Sequence, residues 1–294
     1  MSGRSWLMMW KARLGQILSL LPRRREVFFI RSRKSFRDTK MEHATGRRYT
    51  KERHRLHREI VRRIAEKGSS AKNPIAILIG GGTASGKTTL RKSLVQRELK
   101  KRGIEAALID PDELKTYIPE YKELLKTDPK RAAGLVHRES CDIGALVLKR
   151  LVRERKSFVL EGTMARTGRY VRLVERLRKA GYKIEVYVAD VPLWIAKRRA
   201  VERSRRTGRT VPKRVIEITH QLVPETLEAI KDRVDCYWVY DMTRGPKLIA
   251  SKEHLDRKRY ARFLEKSKRD GRKRKAGIAC KVDLADYYVE PAGD

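Results

Sequence analysis

The residues best placed to do chemistry in this 294-residue chain form one short run, Gly81-Gly82-Thr83-Ala84-Ser85-Gly86-Lys87-Thr88-Thr89. From Gly81 to Thr88 it matches G-x-x-x-x-G-K-[ST], the spacing of a phosphate-cradling loop. Glycines let backbone N–H groups converge on phosphate oxygens because no Cβ blocks their approach. A helix starting at Lys87 would add the positive end of its dipole at the same point. Lys87 is expected to reach the β- and γ-phosphates of ATP, and the Thr88 hydroxyl to ligate Mg²⁺. A glycine-rich turn without a ligand is the plainer alternative, and the apolar run Ile75–Ile79 just before the loop argues against it.

Other groups are candidates for the acceptor side. Asp110 and Asp112 follow a short apolar run, at the carboxyl edge of a strand expected beside the loop. Ligands bind at that edge in doubly wound sheets, and either carboxylate could take the proton of an acceptor hydroxyl. Capping the next helix is the competing role for Asp-Pro-Asp. Glu161 and Thr163 reach the same edge from another strand, to hold an acceptor, assist magnesium or cap a helix. Arg203 and Arg209 suit stabilisation of charge on a transferring phosphoryl group. Their neighbours Arg198, Arg199, Arg205 and Arg206 are so close that composition alone would put arginine there. His137 and Glu139 lie on a helix and could face the cleft or serve packing.

The elements positioning these groups alternate. Thr50 is an N-cap candidate for a helix with apolar residues at Leu56, Ile60, Val61 and Ile64. Ile75–Ile79 reads as a strand buried on both faces, and 87–101 as the helix after it, closed by Gly103. A strand at 106–109, a long helix over 131–152, strands at 157–160 and 183–189, helices over 170–180 and from Pro192, and closing strands at 236–240 and 247–250 complete the pattern. The stretch Arg203 to Arg209 has the look of a mobile lid, with a further helix from Val211. This alternation implies βαβ units: a three-layer α/β, P-loop kinase-type fold with a mostly parallel central sheet.

The remainder falls outside that core. Residues 1–40 form a basic leader, 41–251 the nucleotide-binding domain with its helical N-terminal extension, and 252–294 a basic, helical or disordered tail. In the leader, Arg23–Arg25 follow the apolar stretch, the reverse of a secretory signal, and Met41 is a second candidate initiator. Lys and Arg number 72 against 36 Asp and Glu, a formal net charge of +36, which suggests contact with nucleic acid or an anionic surface through leader and tail. Three scattered cysteines give neither a zinc pattern nor a disulfide framework and fit a reducing cytoplasm. No apolar run approaches a membrane span.

Taken in order, the motifs resemble the zeta toxin family of ATP-dependent kinases. They are Tyr49-Thr50 with Arg53 and His57, the Gly81–Thr88 loop, Ile109-Asp-x-Asp-x-x-Lys115, Glu161-Gly-Thr163, Val191-Pro192, Glu202-Arg203, and Arg209 to Pro212. The resemblance covers about Tyr49 to Ser251. It implies phosphorylation of the 3′-hydroxyl on the amino sugar of UDP-N-acetylglucosamine. Lys87 would bind phosphate, Asp112 act as base, and Arg203 and Arg209 stabilise transferring charge. Glu139, Glu161, Thr163 and Arg166 would join Asp112 around the acceptor. A separate antitoxin protein is the implied partner. Two departures touch the acceptor side. Met164 and Ala165 stand where the family often has arginine, with Arg166 one position later. A direct count for the helix carboxylate lands on Ala145, leaving Glu139 as the nearest candidate. A polynucleotide kinase, and an ATP-binding module tethered to nucleic acid, are the alternatives the charge suggests.

Overall fold

The computed structural model describes residues 37–46, 48–207 and 211–268. A short helix α1 (Thr39–His43) and an antiparallel ribbon, β1 (Ala44–Thr45) with β2 (Arg48–Tyr49), lead into α2 (Lys51–Ala65). The Thr50 side chain caps α2 by accepting from the Arg53 amide, as its residue type predicts. β3 (Ile75–Gly80) then runs into the phosphate loop. α3 (Lys87–Leu90), a π-helical turn (Arg91–Val95) and α4 (Gln96–Lys101) follow it in unbroken succession.

The chain continues through β4 (Ala107–Ile109), α5 (Pro111–Leu114), α6 (Pro119–Thr127), α7 (Pro129–Leu135), α8 (His137–Arg153) and β5 (Phe158–Glu161). After α9 (Thr167–Lys179) come β6 (Lys183–Asp190), α10 (Leu193–Thr207), α11 (Lys213–Ile230), β7 (Cys236–Asp241), β8 (Lys247–Ser251) and α12 (Arg257–Lys268). Six strands pair in the order β4-β5-β3-β6-β7-β8, parallel except for β8 against β7. Ile77, Leu78 and Ile79 of β3 are buried, the burial on both faces that a central parallel strand requires. Among the described residues no helix is long and apolar enough to cross a membrane.

Three expectations change. The strand carrying Asp110 and Asp112 at its end is not the loop strand's neighbour, because β5 lies between them. All four residues of β5 are buried, whereas β4 has three residues with Leu108 partly exposed, so the more apolar strand takes the inner place. The single helix expected over 131–152 is two, broken at Val136 (φ −104°, ψ 1°) just after Gly134, a weak helix former. The segment assigned to a basic tail is, over α12, part of the folded domain. Tyr260 and Phe263 are buried and the Tyr260 hydroxyl donates to Glu228 at 2.6 Å.

α2 is joined to α8 by a buried ionic cluster. Glu139, fully buried, accepts from Arg53 Nε and Nη2 at 2.5 and 2.8 Å, a two-pronged guanidinium–carboxylate pair. His57 Nε2 donates to the same carboxylate at 2.7 Å, and Arg53 also reaches Glu120 at 2.8 Å. Burial alone would raise the Glu139 pKa, but His57 and Arg53 outweigh it and hold it at about 2. Glu139 therefore contributes stability that is complete above its ordinary pKa of 4.5 and is lost as pH falls through about 2. Glu139→Ala should lower the urea-unfolding free energy at pH 7 by about 3–5 kcal/mol, because Arg53 and His57 lose their shared buried carboxylate and Arg53 keeps only the partly exposed Glu120. The variant should also lose part of the wild type's acid sensitivity between pH 4.5 and pH 2. An unfolding midpoint unchanged at both pH values would show that the cluster does not hold the helices.

Candidate active site

The loop after β3 is shaped by close approaches that exclude side chains. Gly81 has φ +148°, and a Cβ there would lie 2.4 Å from the Ala189 carbonyl oxygen of β6. A Cβ on Gly82 would lie 2.2 Å from the His220 ring. His220 Nε2 bonds the Thr83 carbonyl at 3.0 Å, and the Thr83 amide donates to Thr219 Oγ1 at 3.1 Å. Burial lowers the His220 pKa to about 4, so the ring is neutral near pH 7. Since a carbonyl only accepts, Nε2 carries the hydrogen. Ser85 is buried within the loop and Gly86 is the N-cap of α3.

Lys87 Nζ lies across this loop, donating to the Gly81 and Gly82 carbonyls at 3.0 and 3.1 Å. Burial pushes its pKa down, opposed by Glu161, Asp112 and Asp110. Register sets Glu161 of β5 opposite Ile79 of β3. Its Oε1 accepts from Thr88 Oγ1 and its Oε2 from Arg91 Nε, each at 2.9 Å. At the end of β4, Asp110 caps α5 by accepting from the Asp112 amide at 2.9 Å. Burial, then the charges of Glu161 and Asp112, raise its pKa to about 6. The Asp112 side chain, 43% exposed, is paired with buried Lys115 at 2.8 Å.

These groups surround one cleft of about 460 Å³. Thr83, Ala84 and Lys87 line it from the loop, and Asp110, Asp112, Glu161 and Thr163 from the strand ends. His137, Arg166 and Arg203 complete the predicted set. Gly81, Gly82, Ser85 and Gly86 form the loop itself, while Thr88 joins the edge through Glu161 and Thr89 is exposed on α3. Glu139 is not brought in: Arg53 and His57 hold it in the α2–α8 cluster, so the acceptor role given to it is corrected. Arg209 lies outside the described residues. Arg203 stands on regular helix that runs to Thr207, so the first half of the expected lid is helical.

Thr219, His220 and Tyr170 went unrecognised in the sequence. Tyr170 lines the cleft, and its hydroxyl would be 2.6 Å from a Cβ on Gly162, which ties the Glu-Gly-Thr glycine to α9. The Glu-Gly-Thr motif was visible, but its packing partner has no signal of its own. The loop fits a triphosphate: its glycines keep the cradle clear, and Lys87 stands over it. Among the described residues no three His, Cys, Asp or Glu side chains gather for a metal. Mg²⁺ needs no such cage, since it is bound through one or two protein oxygens plus phosphate, which Thr88 and Glu161 would supply.

Sheet order, loop and helix together define the P-loop class of nucleotide-binding folds. The family model for zeta toxin matches residues 58–254, two-thirds of the chain, and the chain belongs to that family. Toxin zeta of Streptococcus agalactiae is 27% identical over 177 residues, 58% of this chain and 60% of that protein. Toxin zeta of Streptococcus pyogenes is 28% identical over 168 residues, 55% of this chain and 57% of that protein. The match thus spans less than two-thirds of those relatives. A chain of the PezAT chromosomal toxin-antitoxin system of Streptococcus pneumoniae superposes with TM-score 0.59 at 18% identity, over 74% of this chain and 88% of its own. AvrRxo1-ORF1:-ORF2 with ATP gives 0.58 at 17%, over 74% and 73%.

Gly82→Ala should weaken binding of ATP by about tenfold or more, since the loop must move off His220 to admit the methyl group. Calorimetric titration of ATP into the variant checks this. Affinity equal to wild type would mean the His220 contact does not set the loop.

Proposed function

We propose that the protein is an ATP-dependent small-molecule kinase that phosphorylates a sugar hydroxyl. The best-supported acceptor is the 3′-hydroxyl on the amino sugar of UDP-N-acetylglucosamine. One observation carries the reading: Lys87 of the phosphate loop and the Asp110, Asp112 and Glu161 carboxylates line a single cleft. Phosphoryl transfer needs a held γ-phosphate and a base within reach of an alcohol, with both kept in place beforehand.

Asp112 takes the hydroxyl proton as the alcohol oxygen forms its bond to γ-phosphorus. The bond from γ-phosphorus to the bridging oxygen breaks, and ADP leaves with that electron pair. Asp112 suits this role better than Asp110, whose carboxylate is engaged at the α5 cap. Lys115, at 2.8 Å, keeps the Asp112 carboxylate oriented. Lys87 and Arg203 offset charge on the transferring group, with Arg209 proposed beside them. Thr88 and Glu161 would hold Mg²⁺, which would supply charge neutralisation on the phosphates. Thr163 and Arg166, both lining the cleft, are placed to hold the acceptor. Family membership supports an antitoxin protein as partner and action in the cytoplasm, where nucleotide sugars are made.

Incubation with ATP, Mg²⁺ and UDP-N-acetylglucosamine should yield a singly phosphorylated sugar nucleotide by mass spectrometry. Labelling of a 5′-hydroxyl oligonucleotide instead would move the acceptor to a polynucleotide end. Asp112→Asn should cut turnover by about 10²- to 10⁴-fold while ATP binding persists, because only general-base assistance is removed. Full turnover in that variant would remove Asp112 from the base role.

A further inference from the structure

The turn that opens the phosphate loop holds a strained residue. Ser85 donates its amide to the Gly82 carbonyl at 3.2 Å, closing a four-residue turn with Thr83 and Ala84 at its centre. Ala84 has φ +61°, in the left-handed region. Where the third residue of a turn has positive φ it is normally glycine or asparagine, because a Cβ there crowds the following carbonyl oxygen. Ala84 also lines the catalytic cleft beside Lys87, so the strain lies where phosphate must be held. Such a conformation persists only when the surrounding structure holds it.

That hold comes from α11, which grips Thr83 on both sides. The Thr83 amide donates to Thr219 Oγ1 at 3.1 Å, and the Thr83 carbonyl accepts from His220 Nε2 at 3.0 Å. This carbonyl belongs to the planar peptide group that precedes Ala84, so fixing its direction fixes one end of the Ala84 φ rotation. Thr219 has one hydroxyl hydrogen, turned back to the Val215 and Ile216 carbonyls at 2.9 and 3.0 Å, which leaves its oxygen free to accept. Thr219 and His220 are both buried, so water competes little for either bond.

The helix that delivers the clasp is itself braced on three sides. Lys197 of α10 pairs with Glu217 at 2.5 Å, and Thr167 Oγ1 of α9 lies 3.1 Å from Thr226 Oγ1. Tyr260 of α12 donates to Glu228 at 2.6 Å. A group carried on a braced helix is placed more sharply than one carried on a loop.

We propose that Thr219 and His220 are positioning residues for nucleotide binding: their clasp on Thr83 holds Ala84 left-handed, so the loop is set for phosphate before the nucleotide arrives. Neither side chain needs to touch the ligand. The inference rests on the loop's taking a triphosphate, as proposed above, and not on which acceptor is phosphorylated.

Calorimetric titration of a non-hydrolysable ATP analogue with Mg²⁺ into the full chain tests it. Thr219→Val keeps the shape and deletes the acceptor, and should weaken binding by about fivefold or more. Thr219→Ser keeps the acceptor and should bind within about twofold of wild type. His220→Phe keeps a ring against Gly82 without the N–H, and should lower affinity in the same direction. Ala84→Gly is the decisive arm, because glycine takes positive φ at no steric cost. The combined Thr219→Val and His220→Phe loss, about tenfold or more with Ala84, should shrink to about threefold or less with Ala84→Gly. A merely structural weakening of α11 would cost the same in both backgrounds. Should the double variant not fold, Thr219→Val with and without Ala84→Gly makes the same comparison. Binding equal to wild type, or the same fold loss in both backgrounds, overturns the proposal alone. Failure of the wild type itself to bind the analogue would take away the triphosphate reading as well.

Discussion

Glu161 is the group on which the catalytic end of the sheet depends. Its carboxylate sits at the carboxyl end of β5, one strand from the loop, and bonds both Thr88 and Arg91 of the helix that follows the loop. Arg91 and Glu161 are each nearly buried, so neither charge has water to fall back on and each offsets the other. Arg91 opens the π-helical turn, a widened helical geometry that recurs at functional sites. Strand, loop and helix are thereby locked into one unit, with the Thr88 hydroxyl turned toward the strand ends.

That lock has an electrostatic consequence on the neighbouring strand. Asp110 is partly buried, and that desolvation, with the charges of Glu161 and Asp112, pushes its pKa upward to about 6. Near neutrality it is ionised by little more than one unit of pH, and its carboxylate is committed to capping α5. Asp112, two residues on, lines the same cleft with Lys115 at its side. Two carboxylates in one Asp-Pro-Asp run thus have different environments, Asp110 partly buried at the α5 cap and Asp112 more exposed beside Lys115. The same separation of environments lets neighbouring acids take different tasks in other sites.

What could be read from the chain follows how local the interactions are. The Gly81–Thr88 loop, the Thr50 cap and the Asp110 cap are settled by residues within a few positions of one another, and all were legible. Strand order was not: nothing near Asp110 says that β5, some fifty residues later, will insert between β4 and β3. Glu139 looked like a cleft carboxylate because it is the acid on its helix nearest the position that the family resemblance implies. Its true partners, Arg53 and His57, are 86 and 82 positions away. His220 lay equally hidden, since its contact with Thr83 spans 137 positions. Motif spacing records what touches a ligand better than what braces the parts that touch it.

The same distinction redraws the carboxyl-terminal boundary. A basic run beginning at Lys266 reads as solvated, because charge density alone carries no information about packing. Yet Lys266 Nζ bonds Asp190 Oδ1 at 2.5 Å and the Val191 carbonyl at 2.7 Å. Burial raises the pKa of Asp190, and the Lys266 charge opposes that rise. Asp190 ends β6, next to Ala189, whose carbonyl oxygen a side chain on Gly81 would strike. α12 therefore supplies the cation that offsets a buried acid one residue from the phosphate loop's contact. Its Phe263 is packed in the interior at the same time. A domain ended at Ser251 would leave Asp190 without that cation, so the nucleotide-binding unit extends physically through Lys266.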